Sequence, residues 1–409
     1  GSFQVRFKLL TENRFEVVNM SKRVQVCYYI TGHGLGHATR SMELIRALLQ
    51  SGKYAVNIVS HVSARFFLNS LQDFGINSID SETNEVLVTI NDRNLDTGAV
   101  QQDVFVVDSA STLIKYLEHI HQKRQNLLDT EVSWLKENNI QLVLVDAIPL
   151  ACQAGVLAGI NTILVSNFSW DFCFKEMLSV LSSRDVLNKE LVAQLEQMIS
   201  QCECDSSSCS YYLQLPGCTP LPRNFPIEKR IPGPLIARQA RNINLRSELS
   251  IPSGAKMLLL GFGGHSAEWD LKDTYLPQGW VCYVLGAKEA DMPSQRYRAL
   301  SPTAYVPDLI SAADAVLGKL GYGFVSECIT AGTALVYVPR VDWPEEEYLE
   351  LLVEDYSAGV RMSKQDFTSG NWAPYLHTAA TLKGSWGNRR TTGDATVETV
   401  HIIEQLLDI

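Results

Sequence analysis

The chain repeats one pattern of hydrophobic and polar positions. A short apolar run is followed by a glycine-rich or polar turn, and then by a segment whose apolar residues recur at helical spacing. Val24–Ile30 (VQVCYYI) is the first apolar run, residues 32–36 form the turn, and residues 41–49 have the helical spacing. Residues 54–59 form the next apolar run. This order predicts a βαβ unit, and therefore a parallel sheet with a right-handed crossover.

The same pattern continues to the end of the chain, with one interruption. It predicts further strands at 140–145, 162–165, 256–260, 280–285, 315–317 and 334–338, and helices at 113–128, 149–158, 180–202, 324–331 and 396–407. Residues 216–234 hold six prolines and two glycines, which indicates a linker. We therefore expect a tag or N-terminal extension (1–20), two Rossmann-like domains (21–225 and 226–395) and a terminal helix (396–409). The cleft between the domains would bind ligands at the strands' carboxyl ends.

Composition and charge narrow the function. The chain has 409 residues, of which 46% are hydrophobic and 20% charged, and this balance is typical of a globular protein. The formal net charge of −10 argues against nucleic-acid binding, because phosphates recruit Lys and Arg. No apolar run reaches the ~20 residues that span a bilayer, and no secretory signal is recognisable. We expect a cytoplasmic protein without a transmembrane segment.

The cysteines do not predict a metal centre. Four of the nine lie close together (Cys202, Cys204, Cys209 and Cys218), but their spacing matches no familiar zinc motif and no histidine lies between them. A zinc site here is the alternative to free thiols. The odd number of cysteines fits a reducing compartment, so we expect free thiols and no bound metal.

The strongest local signal is the loop Gly32-His33-Gly34-Leu35-Gly36-His37 before the first helix. Its glycines allow a ligand to approach the backbone, and a helix N-terminus attracts anions. The loop is not a dinucleotide fingerprint, because its third glycine comes one residue early and the second strand ends without an acidic residue. A neutral imidazole at His37 can act as a base; the alternative is a histidine that caps the turn. His33 is a weaker candidate.

Two further loops of the first half follow predicted strands, so we expect them at the same edge of the first sheet as the glycine loop. Asp146 either orients His37 or caps the helix that follows it. The segment around Asn167, Trp170 and Asp171 either stacks on a sugar or fills the floor of the cleft.

The second half contains two glycine-rich strand-end loops, Gly261-Phe262-Gly263-Gly264-His265 and Gly321-Tyr322-Gly323. Both can present backbone N–H groups to phosphate, but neither contains the G-K-[ST] of a P-loop. Ser326 and Glu327 follow on the next helix. Glu327 can accept hydrogen bonds from ribose; the alternative is a surface glutamate that the helix dipole stabilises. Glu346 and Glu347 can hold sugar hydroxyl groups, although an acidic helix start explains them equally.

These residues resemble the GT-B glycosyltransferases. The loop at 32–40, Gly263-Gly264, and the segment 314–332 with Gly318, Gly321, Ser326, Glu327 and Gly332 are similar to the inverting transferases that add N-acetylglucosamine to lipid-linked muramyl peptide. A stronger similarity, over about residues 24–404, is to the glycosyltransferase-like N-terminal domain of L-arabinokinases. It is carried by Leu95-Asp96-x-Gly98-Ala99-Val100-Gln101, residues 167–172, Gly318-Lys319-x-Gly321-Tyr322-Gly323 and residues 372–376. The sequence shows no Gly/Ser-rich kinase phosphate loop, so sugar phosphorylation is not expected from it.

The resemblance implies an α/β GT-B fold with two Rossmann-like domains facing a cleft. The first domain would bind the acceptor and the second an NDP-sugar, most simply a UDP-sugar. Implied donor contacts are Gly34, Gly36, Gly263, Gly264, His265, Lys319, Gly321, Tyr322, Gly323, Ser326, Glu327, Glu346 and Glu347; implied acceptor contacts are His33, Arg40, Asn167, Trp170 and Asp171.

With His37 and Asp146 as catalytic residues, the expected activity is an inverting, metal-independent hexosyl- or pentosyltransferase. It would need no cofactor beyond its nucleotide-sugar substrate, and would act on a glycan, protein or small-molecule acceptor. The alternatives are a non-catalytic module that binds a nucleotide sugar, and a sugar-nucleotide epimerase with the same fold.

Overall fold

The computed structural model describes residues 23–32, 34–241, 244–262, 270–301, 304–386 and 394–407. The predicted extension at 1–20 lies outside these residues. Strands of the first half are β1 (Val24–Ile30), β2 (Tyr54–Ser60), β3 (Val88–Asp92), β4 (Gln101–Asp103), β5 (Val106–Val107), β6 (Leu142–Asp146), β7 (Asn161–Ser166), β8 (Tyr211–Gln214) and β9 (Arg230–Pro232). Its helices are α1 (Leu35–Gln50), α2 (Ala64–Asp73), α3 (Ser109–His119), α4 (Arg124–Glu137), α5 (Pro149–Leu157), α6 (Trp170–Ser183) and α7 (Lys189–Ser207).

The second half has the same alternation of strands and helices. Its strands are β10 (Lys256–Gly261), β11 (Trp280–Leu285), β12 (Tyr297–Leu300), β13 (Ala315–Gly318), β14 (Leu335–Tyr337) and β15 (Gly359–Arg361). Its helices are α8 (Leu245–Glu248), α9 (Val306–Ala312), α10 (Tyr322–Ala331), α11 (Glu346–Asp355), α12 (Lys364–Ser369), α13 (Ala373–Leu382) and α14 (Ala395–Leu407).

Each half is built on a parallel sheet. Over the described residues the first sheet has the strand order β3-β2-β1-β6-β7-β8-β9 and the second β12-β11-β10-β13-β14-β15. In the first sheet, Ile30 pairs with Ser60 on one side and with Asp146 on the other. In the second, Gly261 pairs with Gly318. The carboxyl ends of the central strands therefore lie level, and the loops that follow them lie at one edge of each sheet.

The predicted strands are confirmed, with ends shifted by a residue or two, but two predicted helices are wrong in extent. The helix predicted at 113–128 is two helices, because α3 ends at His119 and a short 3₁₀ turn precedes α4. The helix predicted at 180–202 is broken between α6 and α7. Asp185 has a left-handed φ of 52°, and the Asn188 side chain caps α7 by accepting from the backbone N–H of Leu191.

The proline-rich segment is not wholly a linker. Its strand β9 extends the first sheet beside β8, with Leu213 opposite Ile231. The first sheet therefore reaches Pro232, beyond the predicted domain boundary at residue 225. At an edge position, proline does not interrupt a hydrogen-bond ladder.

Contacts at several places hold the two halves together. α14 returns to the first half, where Glu404 accepts hydrogen bonds from Lys53 and Tyr54. The backbone N–H of Val341 donates to the Phe105 carbonyl at 2.8 Å. Trp343, from the second half, is buried in the hydrophobic core of the first. No helix in the described ranges is long and apolar enough to cross a membrane.

Candidate active site

The N-termini of α1 and α10 meet in the cleft. A Cβ built on Gly323 would lie 3.2 Å from Gly36 Cα and 3.3 Å from Thr39 Oγ1. Gly34, just before α1, has a left-handed φ of 70°, and Gly321 is the residue before α10. Neither first turn contains an acidic side chain. The two helices therefore direct their free N–H groups and positive dipole ends at the same place, which suits a polyanion such as a diphosphate.

His37 lies on the first turn of α1, beside the carboxylate of Asp146. Its Nδ1 is 3.0 Å from Asp146 Oδ1, and both side chains are buried. Asp146 ends β6 directly below α1. It does not cap α5, which begins after Ile148 without a side-chain cap. The structure therefore brings together the two residues that the sequence proposes as catalytic.

Arg40, one helical turn after His37, forms an ion pair inside the first half. Its Nε and Nη2 donate to the two Asp146 oxygens at 2.9 and 2.6 Å, and its Nη1 donates to Asn167 Oδ1. Burial alone would raise the pKa of Asp146, but the Arg40 charge outweighs it and holds that pKa well below the ordinary value. The guanidinium also lies over the Tyr322 ring, 4.5 Å from its centre. Arg40 is therefore the ion-pair partner of Asp146 inside the first half, and it also contacts α10 of the second half through Tyr322.

The proposed acceptor side is closed by contacts between the halves. Asn167 Nδ2 donates to Glu345 Oε1 at 3.0 Å, and Trp343 Nε1 donates to Glu345 Oε2 at 3.0 Å. The rings of Phe168 and Trp343 stack at 5.8 Å. Glu345, rather than Glu346 or Glu347, therefore reaches the first half, and the sequence pattern did not single it out.

Trp170 and Asp171 lie deeper in the first half. Trp170 packs on Phe168 and Phe174 and is 1% exposed, in accordance with the alternative that these aromatic residues fill the floor of the cleft. Asp171 is buried and accepts a hydrogen bond from the Ser169 hydroxyl. Burial raises the pKa of Asp171 to about 6.

On the donor side, Lys319 and Arg340 place two cations beside α10 and α11. Arg340 Nε donates to Glu346 Oε2 at 2.7 Å, while Glu347 is exposed at the start of α11. Burial, with the nearby Arg340 charge, lowers the pKa of Lys319 to about 7. A bound anion would favour the charged form of Lys319 and so raise this pKa.

Glu327 is buried on α10 and already has a cationic partner. Arg238 Nε donates to Glu327 Oε1 at 2.6 Å. Burial raises the pKa of Glu327 although Arg238 opposes this effect. Arg238 also lies 5.4 Å from the centre of the Tyr305 ring. Ser326 donates to the Gly323 carbonyl at 3.1 Å, which ties it to the helix start. A ribose would have to share Glu327 with Arg238.

Asp96 is a buried acid that the sequence pattern did not assign to the site. It accepts a hydrogen bond from the Thr31 hydroxyl and one from the Gly32 backbone N–H, and it lies near His37. Burial raises its pKa to about 6 in spite of these donors. The sequence feature that could have identified Asp96 is the string Leu95-Asp96-x-Gly98, which is part of the resemblance to the L-arabinokinases. Asp96 thus holds the start of the glycine loop through hydrogen bonds to Thr31 and Gly32.

Four predicted site residues lie outside the described residues: His33, Gly263, Gly264 and His265. Within the described part of the chain, no group of three or more His, Cys, Asp or Glu side chains is arranged to hold a metal ion.

Solved structures with the same course of chain are glycosyltransferases. The glycosyltransferase of kitacinnamycin aligns with 94% of this chain and 99% of its own, at 16% identity and a TM-score of 0.64. LpCGTa, solved in complex with UDP, aligns with 95% of this chain and 100% of its own, at 13% identity and a TM-score of 0.62. With its two parallel sheets facing a cleft, the chain has the GT-B fold, as its sequence predicts.

In sequence, the chain is similar to an L-arabinokinase of Arabidopsis thaliana. The two are 35% identical over 387 residues, which are 94% of this chain. This match confirms the resemblance to the L-arabinokinases. The chain spans about a third (34%) of that relative's length. No protein-family model matches the chain.

Proposed function

We propose that the chain transfers a sugar from a nucleoside diphosphate sugar to an acceptor hydroxyl group, with inversion at the anomeric carbon. The observation that carries this proposal is the meeting of α1 and α10 at Gly36 and Gly323, with His37 and Asp146 beside it. This arrangement supports the proposal because it would give a GT-B cleft an anion site next to an imidazole–carboxylate pair. UDP is the first choice of nucleotide, since the fold is shared with a protein solved in complex with UDP.

The proposed reaction is a single displacement. The acceptor oxygen forms a bond to the anomeric carbon while the bond from that carbon to the diphosphate oxygen breaks. The nucleoside diphosphate leaves with the electron pair, and the acceptor proton passes to Nε2 of His37, whose Nδ1 faces Asp146. Attack from the side opposite the leaving group inverts the anomeric carbon.

Positive charge from the protein supports the leaving group. The N-termini of α1 and α10 meet at Gly36 and Gly323, and Lys319 comes two residues before Gly321 in the same loop; we assign these groups to the negative charge that grows on the diphosphate. Fixed dipoles of this kind stabilise a developing anion without reorganisation. We therefore propose transfer that does not depend on a metal ion, so that a chelator leaves the rate unchanged.

A second candidate is a module that binds a nucleotide sugar without turnover. The match to about a third (34%) of the length of an L-arabinokinase favours it, because a module of a larger protein can bind a ligand and leave turnover to the rest of that protein. The two candidates differ in turnover rather than in binding.

A transfer assay separates the candidates. The chain is incubated with a panel of UDP-sugars and of glycan, protein and small-molecule acceptors, and glycoside and nucleotide are both quantified. Transfer predicts equal amounts of glycoside and UDP; binding alone predicts neither; UDP without glycoside points to an epimerase.

The His37→Ala variant tests the catalytic assignment. We expect a 10²- to 10⁴-fold lower turnover with UDP affinity retained, since a positioned base contributes about that factor. His119→Ala, which removes an exposed histidine of α3, is the matched control and should leave turnover unchanged. Full transfer by His37→Ala would refute the assignment.

A further inference from the structure

The β4–β5 hairpin reaches from the first half of the chain to the second. Over the described residues, its two short strands form a sheet of their own and belong to neither of the large sheets. The base of the hairpin lies in the first half, where the backbone N–H of Asp108 donates to the Val100 carbonyl at 2.8 Å just before α3. A two-stranded hairpin alone is marginally stable in water. The β4–β5 hairpin therefore depends on what its turn packs against, and it can move without breaking either large sheet.

Phe105, in the turn of this hairpin, packs against two aromatic rings of the second half. Its ring centre lies 5.2 Å from that of Phe262 and 5.6 Å from that of Phe367, both edge to face, and the side chain is 6% exposed. The backbone N–H of Val341 donates to the Phe105 carbonyl at 2.8 Å, and the N–H of Val107 donates to the Val341 carbonyl at 3.4 Å. Aromatic packing and backbone hydrogen bonds thus hold the hairpin on the second half.

Both contact points lie next to segments assigned to the donor site. Phe262 directly precedes Gly263-Gly264, the glycine pair of the predicted phosphate loop. Val341 directly follows Arg340, whose charge lies close to Lys319. The hairpin therefore connects the first half to two loops of the donor side, and it must leave them when the two halves separate.

Charge contributes little to this contact. Lys364 Nζ lies 3.7 Å from Asp103 Oδ2 on the hairpin and 5.2 Å from the centre of the Phe105 ring. The two charged side chains are about half exposed, at 49% and 52%, so water and salt screen their attraction. The buried ring of Phe105 is therefore the main side-chain contact that holds the hairpin in place.

We propose that the β4–β5 hairpin is a latch that keeps the cleft closed, and that a nucleotide enters or leaves only after Phe105 has left Phe262 and Phe367. The latch itself concerns the chain alone; its control of nucleotide entry rests on the proposed function. Burial of one phenylalanine side chain favours the closed form by about 10- to 100-fold. Because the same contacts re-form once the nucleotide is inside, the latch sets the rate of exchange and not the affinity.

Amide hydrogen exchange of the ligand-free chain tests the latch. The N–H of Val341 is the reporter, since its acceptor is the Phe105 carbonyl. In Phe105→Ala we expect this N–H to exchange about 10- to 100-fold faster than in the wild type, because exchange requires the hairpin to leave the second half. The N–H groups of β6 should stay protected and show that the variant is folded. If Phe105→Ala does not fold, Phe105→Leu replaces it, with a smaller acceleration in the same direction.

Phe225→Ala is the matched control for the exchange experiment. Phe225 is also buried, at 2% exposed, and its ring centre lies 5.9 Å from that of Tyr212 inside the first half. Its loss should leave the exchange of the Val341 N–H at the wild-type rate. A wild-type rate in the folded Phe105 variant, or the same acceleration in Phe225→Ala, would overturn the latch.

Stopped-flow binding of UDP tests the control of nucleotide entry. In Phe105→Ala we expect the association and dissociation rate constants both to rise about tenfold or more, while the Kd stays within about threefold of the wild-type value. Wild-type rate constants in a variant with faster amide exchange would refute this control. If the wild-type chain binds no nucleoside diphosphate, the proposed function fails and the control of entry fails with it, while amide exchange still decides whether the latch exists.

Discussion

At the scale of single residues, Lys319 gives the proposed donor site a pH dependence. Burial and Arg340 lower its pKa from 10.5 to about 7, so the side chain is largely neutral at pH 8. A bound diphosphate would restore the charge, which requires proton uptake. We expect about one proton per UDP bound at pH 8 and almost none at pH 6, and an affinity that falls as pH rises above 7. Calorimetry in buffers of different ionisation enthalpy measures the uptake.

The control for this prediction is Lys319→Met, which cannot take up the proton. Its UDP affinity should be lower at about pH 6.5 and should lose the pH dependence above about pH 7. Equal proton uptake by the variant and the wild type would place the titrating group elsewhere.

Asp96 gives the folded state a second pH dependence. Its pKa is about 6 in the folded chain and ordinarily 3.8, so the native state binds the proton more tightly than the unfolded state. The stability that this preference contributes is complete below pH 3.8 and is lost as pH rises through 6. Asp96→Asn should therefore gain free energy of unfolding relative to wild type between about pH 4.5 and 7, on the order of 2 kcal/mol.

Denaturant unfolding across this pH range measures the Asp96 effect. Asp73→Asn, which changes an exposed carboxylate on α2, is the control and should follow the wild type. A constant difference between Asp96→Asn and wild type at every pH would contradict the prediction.

The sequence offered Asp146 as a partner of His37, with helix capping as the alternative, but it could not supply the contacts that govern the two residues. Strand ends in a parallel sheet meet at one edge, so the proximity of these two residues followed from the βαβ pattern. The ion pair between Arg40 and Asp146 joins residues 106 positions apart and depends on side-chain directions that no local pattern encodes. The choice of Glu345 over its two neighbours likewise depends on the position at which α11 begins.

At the scale of elements, the close approach of α1 and α10 requires glycine at position 323. In Gly323→Ala the new methyl group would lie 3.2 Å from Gly36 Cα, tighter than ordinary contact, so the backbone of α1 or α10 must shift by a few tenths of an ångström. We expect UDP affinity to fall about tenfold, equivalent to about 1.4 kcal/mol, as the shift and the added methyl group disturb the fit of the diphosphate between the two helix N-termini. Binding calorimetry measures the loss.

Ser200→Ala, which changes an exposed side chain on α7 and touches neither α1 nor α10, is the control. It should bind UDP as the wild type does. A Gly323→Ala variant that also binds UDP normally would show that the helix contact does not form the anion site.

Elements with a strong pattern were predictable, and their interruptions were not. The largely buried strands β1, β6 and β10 consist mainly of apolar residues and are followed by turns. The break between α6 and α7 contains no proline or glycine, so the apolar spacing of residues 180–202 continues through it. The residue that indicates this break in the sequence is Asn188, which caps α7, but the helical spacing of the apolar residues led to the prediction of one continuous helix.

At the scale of the whole molecule, the two halves form one unit around the cleft. Trp343 is buried in the core of the first half, the segment at Val341 pairs with Phe105, and α14 returns to α1 and β2. A sequence with two similar α/β halves and a proline-rich connection predicts the two sheets and the cleft. It does not predict how far the cleft is closed, because that depends on aromatic contacts between the halves.

Binding of a nucleotide in this cleft is the central claim, and thermal melting tests it most directly. The chain is melted alone and with UDP, dTDP, GDP, CDP and ADP at millimolar concentration. We predict that one nucleoside diphosphate, UDP first, raises the Tm by about 2–4 °C, since a ligand at about 100 times its Kd stabilises the folded state by about 2.7 kcal/mol. An unchanged Tm with every nucleoside diphosphate and every matching nucleotide sugar would contradict the account.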